Sequence, residues 1–132
     1  LPTGIPERYV GDRTVRLSLY RRMAELEDEI EIDDLREEFK DRFGPIPETV
    51  EHLFLQIEVK LLAEQVGLEA ISLQQEQLTL QYPEGHPMPQ PWEVGQDVRI
   101  GETTLWLDFN LEDENWHSKL VRVLQELVYE DN

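Results

Sequence analysis

Past Gly67 the apolar residues stop recurring at every third or fourth position and begin to recur at every second, which limits the architecture more than any other feature of the chain. Before that point Val15, Leu19, Met23 and Leu26 are spaced by 4, 4 and 3, with Tyr20 beside the stripe and Asp12 placed as an N-cap. After it Ile71 and Leu73, then Leu78, Leu80 and Tyr82, alternate with polar residues around a short Gln75-Glu76 connection. A second pair of strands is expected from Val98 and Ile100 through Gly101-Glu102 to Leu105, Leu107 and Phe109, with Trp106 on the opposite face. Helices followed by strands imply the α+β class. The expectation is three N-terminal helices, an antiparallel sheet of about four strands, and a C-terminal helix covering it. That last helix runs from about Asp113 to Tyr129 and carries Trp116, Leu120, Val123, Leu124 and Leu127 inward.

Punctuation residues set the remaining boundaries. The second helix is expected to start at Asp33, with Ile32 just outside, and to bury Leu35, Phe39 and Phe43. Gly44 can take the left-handed conformation that ends a helix, Pro45 cannot continue one, and Pro47 has the fixed φ of a first helical position. Residues 41–48 therefore read as a helix stop, a short turn and a helix start. The third helix should run from about Pro47 to Val66 on a stripe of Val50, Phe54, Ile57 and Leu61, ended by Gly67. Four prolines between Pro83 and Pro91 forbid a central strand there and favour a stiff loop extending to Trp92. Residues 1–11 read as a connector from a preceding region, and residues 12–132 as one α+β domain.

Charge restricts the partners. The 132 residues hold 29 Asp+Glu against 12 Lys+Arg, a formal charge of −17. Such a surface repels phosphate backbones and anionic lipid, so no direct nucleic-acid or membrane binding is expected, and the natural partners are basic or neutral. The charge is also unevenly placed: Arg8, Arg13, Arg16, Arg21 and Arg22 lie in the first 22 positions, and nine carboxylates fall between Glu25 and Glu38. This distribution suggests a shaped surface in which the arginines of the first helix answer the acidic run. Without cysteine there is neither a disulfide nor a thiolate nucleophile. No window offers the roughly 18 apolar residues of a membrane span, and a soluble, cytoplasmic, monomeric fragment is expected.

Catalytic chemistry finds no foothold. Among so many carboxylates, paired acids arise by chance. Glu48 and His52 are one turn apart, a spacing that suits a divalent metal, but no third ligand is at hand and they read as helix-surface residues. His86 and His117 lack a nearby nucleophile or orienting acid. No glycine-rich phosphate loop follows a strand, so neither cofactor nor metal is expected.

Several segments in order carry a resemblance: Ile5-Pro-Glu-Arg-Tyr-Val10, Arg16-Leu-Ser-Leu-Tyr-Arg-Arg22, Glu38-Phe-Lys-Asp-Arg-Phe-Gly-Pro-Ile-Pro47 and Leu61-Leu-Ala-Glu-Gln-Val-Gly67. Across residues 5–68 the chain resembles the C-terminal domain of bacterial transcription-repair coupling factors, and the helix from Asp113 looks similar as well. The resemblance implies a non-catalytic autoinhibitory domain of an ATP-driven DNA translocase. Such a domain docks on a UvrB-like module of the same chain, masks the UvrA-binding surface and restrains the motor until RNA polymerase is engaged. By the same resemblance Glu38, Asp41 and Arg42 face the UvrB-like module. The three residues also read as a helix-capping ion pair beside a solvated acid. A free-standing acidic adaptor that binds a basic protein in trans is the alternative function.

Overall fold

The structure is a computed structural model and describes residues 2–89, 98–108 and 116–130. Its elements follow the expected order: α1 (Arg13–Ala24), α2 (Glu29–Phe43), α3 (Glu48–Val66), β1 (Ala70–Gln74), β2 (Gln77–Gln81), β3 (Val98–Ile100), β4 (Thr104–Asp108) and α4 (Trp116–Glu130). The fold is α+β, with three N-terminal helices, a four-stranded antiparallel sheet and a C-terminal helix. The expected positions of Phe109, Trp92 and the first residues of the last helix, Asp113 among them, lie outside the described residues. The chain divides into two compact units, residues 1–61 and 62–132.

In the first unit Asp12 caps α1 as expected, its side chain accepting from the Val15 amide at 3.1 Å. Leu19 and Met23 are buried, and Leu26 packs on the core from beyond the helix end. The start of α2 corrects the expectation: it begins at Glu29, a turn before Asp33, and Ile32 is buried within it. Local hydrogen bonding explains the difference. Asp28 accepts from the Glu31 amide at 2.8 Å while the Glu31 carboxylate reaches back to the Glu27 amide at 2.9 Å, close to a reciprocal capping box. Ile32 and Leu35 are nearly inaccessible and Phe39 entirely so, whereas Phe43 is half-buried. Gly44 ends the helix at φ +92°, its amide bonded to the Lys40 carbonyl at 3.0 Å.

Ile5 and Val10 join the same core, with Val50 and Phe54 of α3. The strand of chain before α1 is pinned by polar contacts. The Gly4 amide donates to the Thr49 carbonyl at 3.3 Å, the Ile5 amide to the Tyr20 hydroxyl at 2.6 Å, and Arg16 to the Val10 carbonyl at 2.8 Å.

Arg36 links α2 to α3, 3.3 Å from Glu51 and 5.1 Å above the Phe54 ring, and it also lies 3.6 Å from Asp33. Near it, Glu58 has its carboxyl pKa pushed up, first by burial and then by the charge of Glu29. A raised carboxyl pKa means that the folded state binds the proton more tightly, so stability falls as pH rises through the folded value. Glu58→Gln removes that charge and is expected to stabilise the chain at pH 7 by about 0.5–2 kcal/mol. The gain should shrink below pH 4, where Glu58 is protonated anyway. Thermal melts of both proteins at the two pH values check this, and a variant less stable at pH 7 would contradict it.

The second unit opens at the end of α3, where Gly67 takes φ +88°. Its amide reaches the Glu64 carbonyl at 3.2 Å and the Leu68 amide reaches the Ala63 carbonyl at 2.9 Å, a paired stop of the Schellman kind. The sheet order is β1-β2-β4-β3. Register places Ile71, Leu80, Leu105 and Ile100 in one row and Leu73, Leu78, Leu107 and Val98 in the next, on the same face. Leu78, Leu80, Leu105 and Leu107 are buried there. The opposite face carries Ser72, Thr79, Trp106 and Arg99, the guanidinium lying 5.9 Å from the indole centroid. The β1–β2 hairpin turns on Gln75 and Glu76, both at positive φ (50° and 63°), as a two-residue turn of the primed kind demands. In α4, Leu120, Leu124 and Leu127 are buried, while Trp116 and Val123 are only half-buried.

Candidate docking surface

On α2, Glu31, Asp34, Glu38 and Asp41 follow at intervals of 3, 4 and 3, which sets them along one side of the helix, bordering the buried side formed by Ile32, Leu35 and Phe39. Glu38 is the hub of this face. Arg22 of α1 grips both carboxylate oxygens, at 2.5 and 2.8 Å, and Arg42 reaches one of them at 3.0 Å. The expected pairing of Glu38 with Arg42 one turn on is therefore present. The expected answer of the first helix to the acidic run takes the form of Arg22.

Those contacts hold the Glu38 pKa down at about 2, chiefly through the hydrogen bond from Arg22, with Arg42 assisting and partial burial opposing. A depressed carboxylate pKa contributes stability that is whole above the unfolded value and is lost as pH falls toward 2. The bridge is complete at neutral pH. Both arginines are nearly half exposed, so solvent keeps the net contribution near the surface range of about 0–1 kcal/mol.

Asp41 is different. It is exposed and makes no hydrogen bond or ion pair among the described residues. Arg42 places its guanidinium 4.8 Å from the Phe43 ring centroid. Beneath this terminal turn, Phe39 meets Phe43 edge-on at 6.0 Å and Phe54 at 5.3 Å, and Tyr9 meets Phe43 at 5.7 Å. The Tyr9 hydroxyl donates to the Gly44 carbonyl at 2.9 Å and lies 3.2 Å from that of Phe39, so it satisfies carbonyls at the helix end. Burial and Glu51 both push the Tyr9 pKa up. The three residues singled out from sequence thus share one helix end. Arg22 and Tyr9 complete it, and neither is within reach of a local pattern, since they lie 16 and 35 residues from their partners Glu38 and Gly44.

Beside Glu38 a groove of about 240 Å³ is lined by Arg22, Leu26, Glu31, Asp34, Leu35 and Glu38. Three carboxylates and one guanidinium over two leucines suit a cationic side chain with an apolar stem. Elsewhere, His52 Nδ1 donates to the Pro2 carbonyl at 2.9 Å and its Nε2 lies 3.6 Å from Glu48. His86 stacks on Tyr82 at 4.7 Å. Among the described residues no group of three or more potential ligands is arranged to hold a metal ion, and no helix is long and apolar enough to cross a membrane.

Residues 1–91 match the model of the TRCF domain. The chain is 38% identical over 71 residues to the transcription-repair-coupling factor of Haemophilus influenzae, covering 54% of this chain and 6% of that protein. With the Escherichia coli factor it shares 24% identity over 95 residues, 72% of this chain and 8% of that one. It thus spans a small fraction of the length of these relatives. Among solved structures, the C-terminal domain of a transcription-repair coupling factor superposes with a TM-score of 0.77 at 16% identity, over 98% of this chain and 88% of that one, a likeness of fold. Because the matched model covers about two-thirds of the 132 residues, the chain belongs to the TRCF domain family.

Proposed function

We propose that residues 12–132 form the C-terminal regulatory domain of a DNA-translocating transcription-repair coupling factor, with residues 1–11 leading in from the motor region. The domain is non-catalytic. It docks Glu38, Asp41 and Arg42 on the UvrB-like module of its own chain, masks the UvrA-binding surface, and restrains the ATPase until RNA polymerase is engaged. Membership of the TRCF domain family supports the setting. The observation that carries the docking role is the exposed Asp41, unpaired among the described residues, on the same braced helix end as the Glu38–Arg42 pair. A covalently tethered domain meets its target at an effective concentration of order mM. A polar interface of roughly 600–1,500 Å² is then strong enough to close and weak enough to release.

The test uses the full-length parent. Deleting this domain, or introducing Glu38→Lys with Asp41→Lys, should raise DNA-dependent ATPase activity and UvrA binding together. Unchanged ATPase and unchanged UvrA affinity would overturn the proposal. The two substitutions separate docking from stability. Asp41→Lys removes no hydrogen bond or ion pair among the described residues and should leave the melting temperature of the 132-residue chain within a degree or so. Glu38→Lys puts a third cation between Arg22 and Arg42 and should cost about 1–2 kcal/mol. Equal release by the two single variants in the parent would therefore trace to docking.

A further inference from the structure

The outer side of α1 carries a second surface whose character is opposite to that of α2. Leu17 and Tyr20 are 53% and 39% exposed, two of the three large apolar side chains left open among the described residues. Helical periodicity puts Tyr20, Arg13, Ala24, Leu17 and Arg21 within a stripe of about 100° of the circumference, on the side away from Leu19 and Met23. Arg22 and Arg16 lie off this stripe and are engaged, by Glu38 and by the Val10 carbonyl. Arg13 and Arg21 are exposed and make no ion pair or hydrogen bond among the described residues. In a chain of 29 acids and 12 bases, two guanidiniums that flank exposed apolar groups and pair with no carboxylate among the described residues are charges left for another molecule.

Tyr20 is already fixed for such a contact. Its hydroxyl accepts from the Ile5 amide at 2.6 Å, so the ring is held on the surface before anything binds. A pre-ordered tyrosine loses little rotamer freedom on association, and arginine and tyrosine are the residues most often found at energetic centres of interfaces. The apolar strip is narrow and one helix long, which matches the apolar edge of another helix rather than an extended strand.

We propose that the Arg13–Leu17–Tyr20–Arg21 face of α1 docks an acidic amphipathic helix of a partner protein, its leucine or phenylalanine edge lying on Leu17 and Tyr20 and its carboxylates on Arg13 and Arg21. This surface lies on a different side of α1 from Arg22, so it stands whether or not the α2 face docks as described above. The −17 of the whole chain disfavours acidic bodies at long range, a second copy of the chain above all, but salt screens that field beyond about 8–10 Å, and a single short helix meets Arg13 and Arg21 inside that distance.

The test titrates the isotope-labelled 132-residue chain with a synthetic helical peptide bearing a leucine edge flanked by glutamates, and with the same peptide carrying lysines instead. The acidic peptide should shift the amides of residues 13–24, saturate, and bind at least tenfold more weakly to a chain carrying L17S and R21E. The lysine peptide should leave residues 13–24 unmoved. Both substitutions are at exposed positions, and an unchanged melting temperature of the variant confirms that folding is not what was lost. The proposal is overturned by acidic-peptide affinity equal in variant and parent, by shifts confined to other elements, or by no binding. It is also overturned if these residues respond to duplex DNA or to raised concentration of the chain itself while the peptide leaves them unmoved.

Discussion

Phe39→Ala is expected to destabilise the 132-residue chain by about 3–5 kcal/mol, as truncation of a fully buried aromatic does when the surroundings cannot close over the void. Phe39 is wholly inaccessible to solvent and meets both Phe43 and Phe54. Those two rings belong to α2 and α3, helices already tied by the Arg36–Glu51 pair, which limits their collapse. Part of the effect is functional. The ring lies under the turn that carries Glu38, Asp41 and Arg42, and its carbonyl is one of the two that the Tyr9 hydroxyl faces. Phe39→Leu retains most of the volume and should lose about half as much. Denaturant melts of the two variants check the ranking, and a loss below about 1 kcal/mol for the alanine variant would show that the cavity refills.

Gly67→Ala is the second large expected effect, about 2–3 kcal/mol. Two independent causes contribute. The backbone at φ +88° costs an L-residue about 1–2 kcal/mol. An added Cβ would also sit 2.7 Å from His86 Nε2, so the imidazole must leave its place against Tyr82. The stacked pair contributes about 0.5–1.5 kcal/mol, and displacing His86 also disturbs its 2.8 Å contact with the Pro87 carbonyl. The causes are separable by a double-mutant cycle. In a His86→Ala background the clash is gone and only the backbone penalty should remain, so Gly67→Ala should lose less there than in the parent. Equal losses in both backgrounds would show that the ring is not the obstacle.

How far the sequence could be read depends on how local each cause is. Helix and strand periods, the Asp12 cap, the stop at Gly44 and the restart after Pro47 depend on residues within a few positions of each other, and each is found as expected. The start of α2, at Glu29 and not Asp33, is the exception, for the same kind of reason. In the run from Glu25 to Asp34 several acids could serve as N-cap, and only the reciprocal bonds of Asp28 and Glu31 select one. The hairpin at Gln75-Glu76 lacks the glycine that usually marks a primed turn, yet its apolar alternation on either side placed it.

Within the candidate site, Glu38 and Arg42 are four residues apart and were legible as a pair. Their difference from Asp41 was not. Whether a surface acid is occupied or free depends on Arg22, which sits on another helix and reaches Glu38 only once α1 and α2 are packed. The same holds for α1: four arginines look alike in sequence, and folding engages Arg16 and Arg22 while leaving Arg13 and Arg21 exposed.

From its sequence alone this chain had its class, its element order, its acidic character and its family resemblance determined, because spacing, capping residues and charge are properties of neighbours along the chain. Tertiary structure alone decided that Tyr9 closes the end of α2, that Glu38 is clamped while Asp41 stays exposed, and which arginines face outward. Those outcomes depend on groups brought within about 3 Å across 16 to 35 residues, and hydrogen bonds and ion pairs act only at such range.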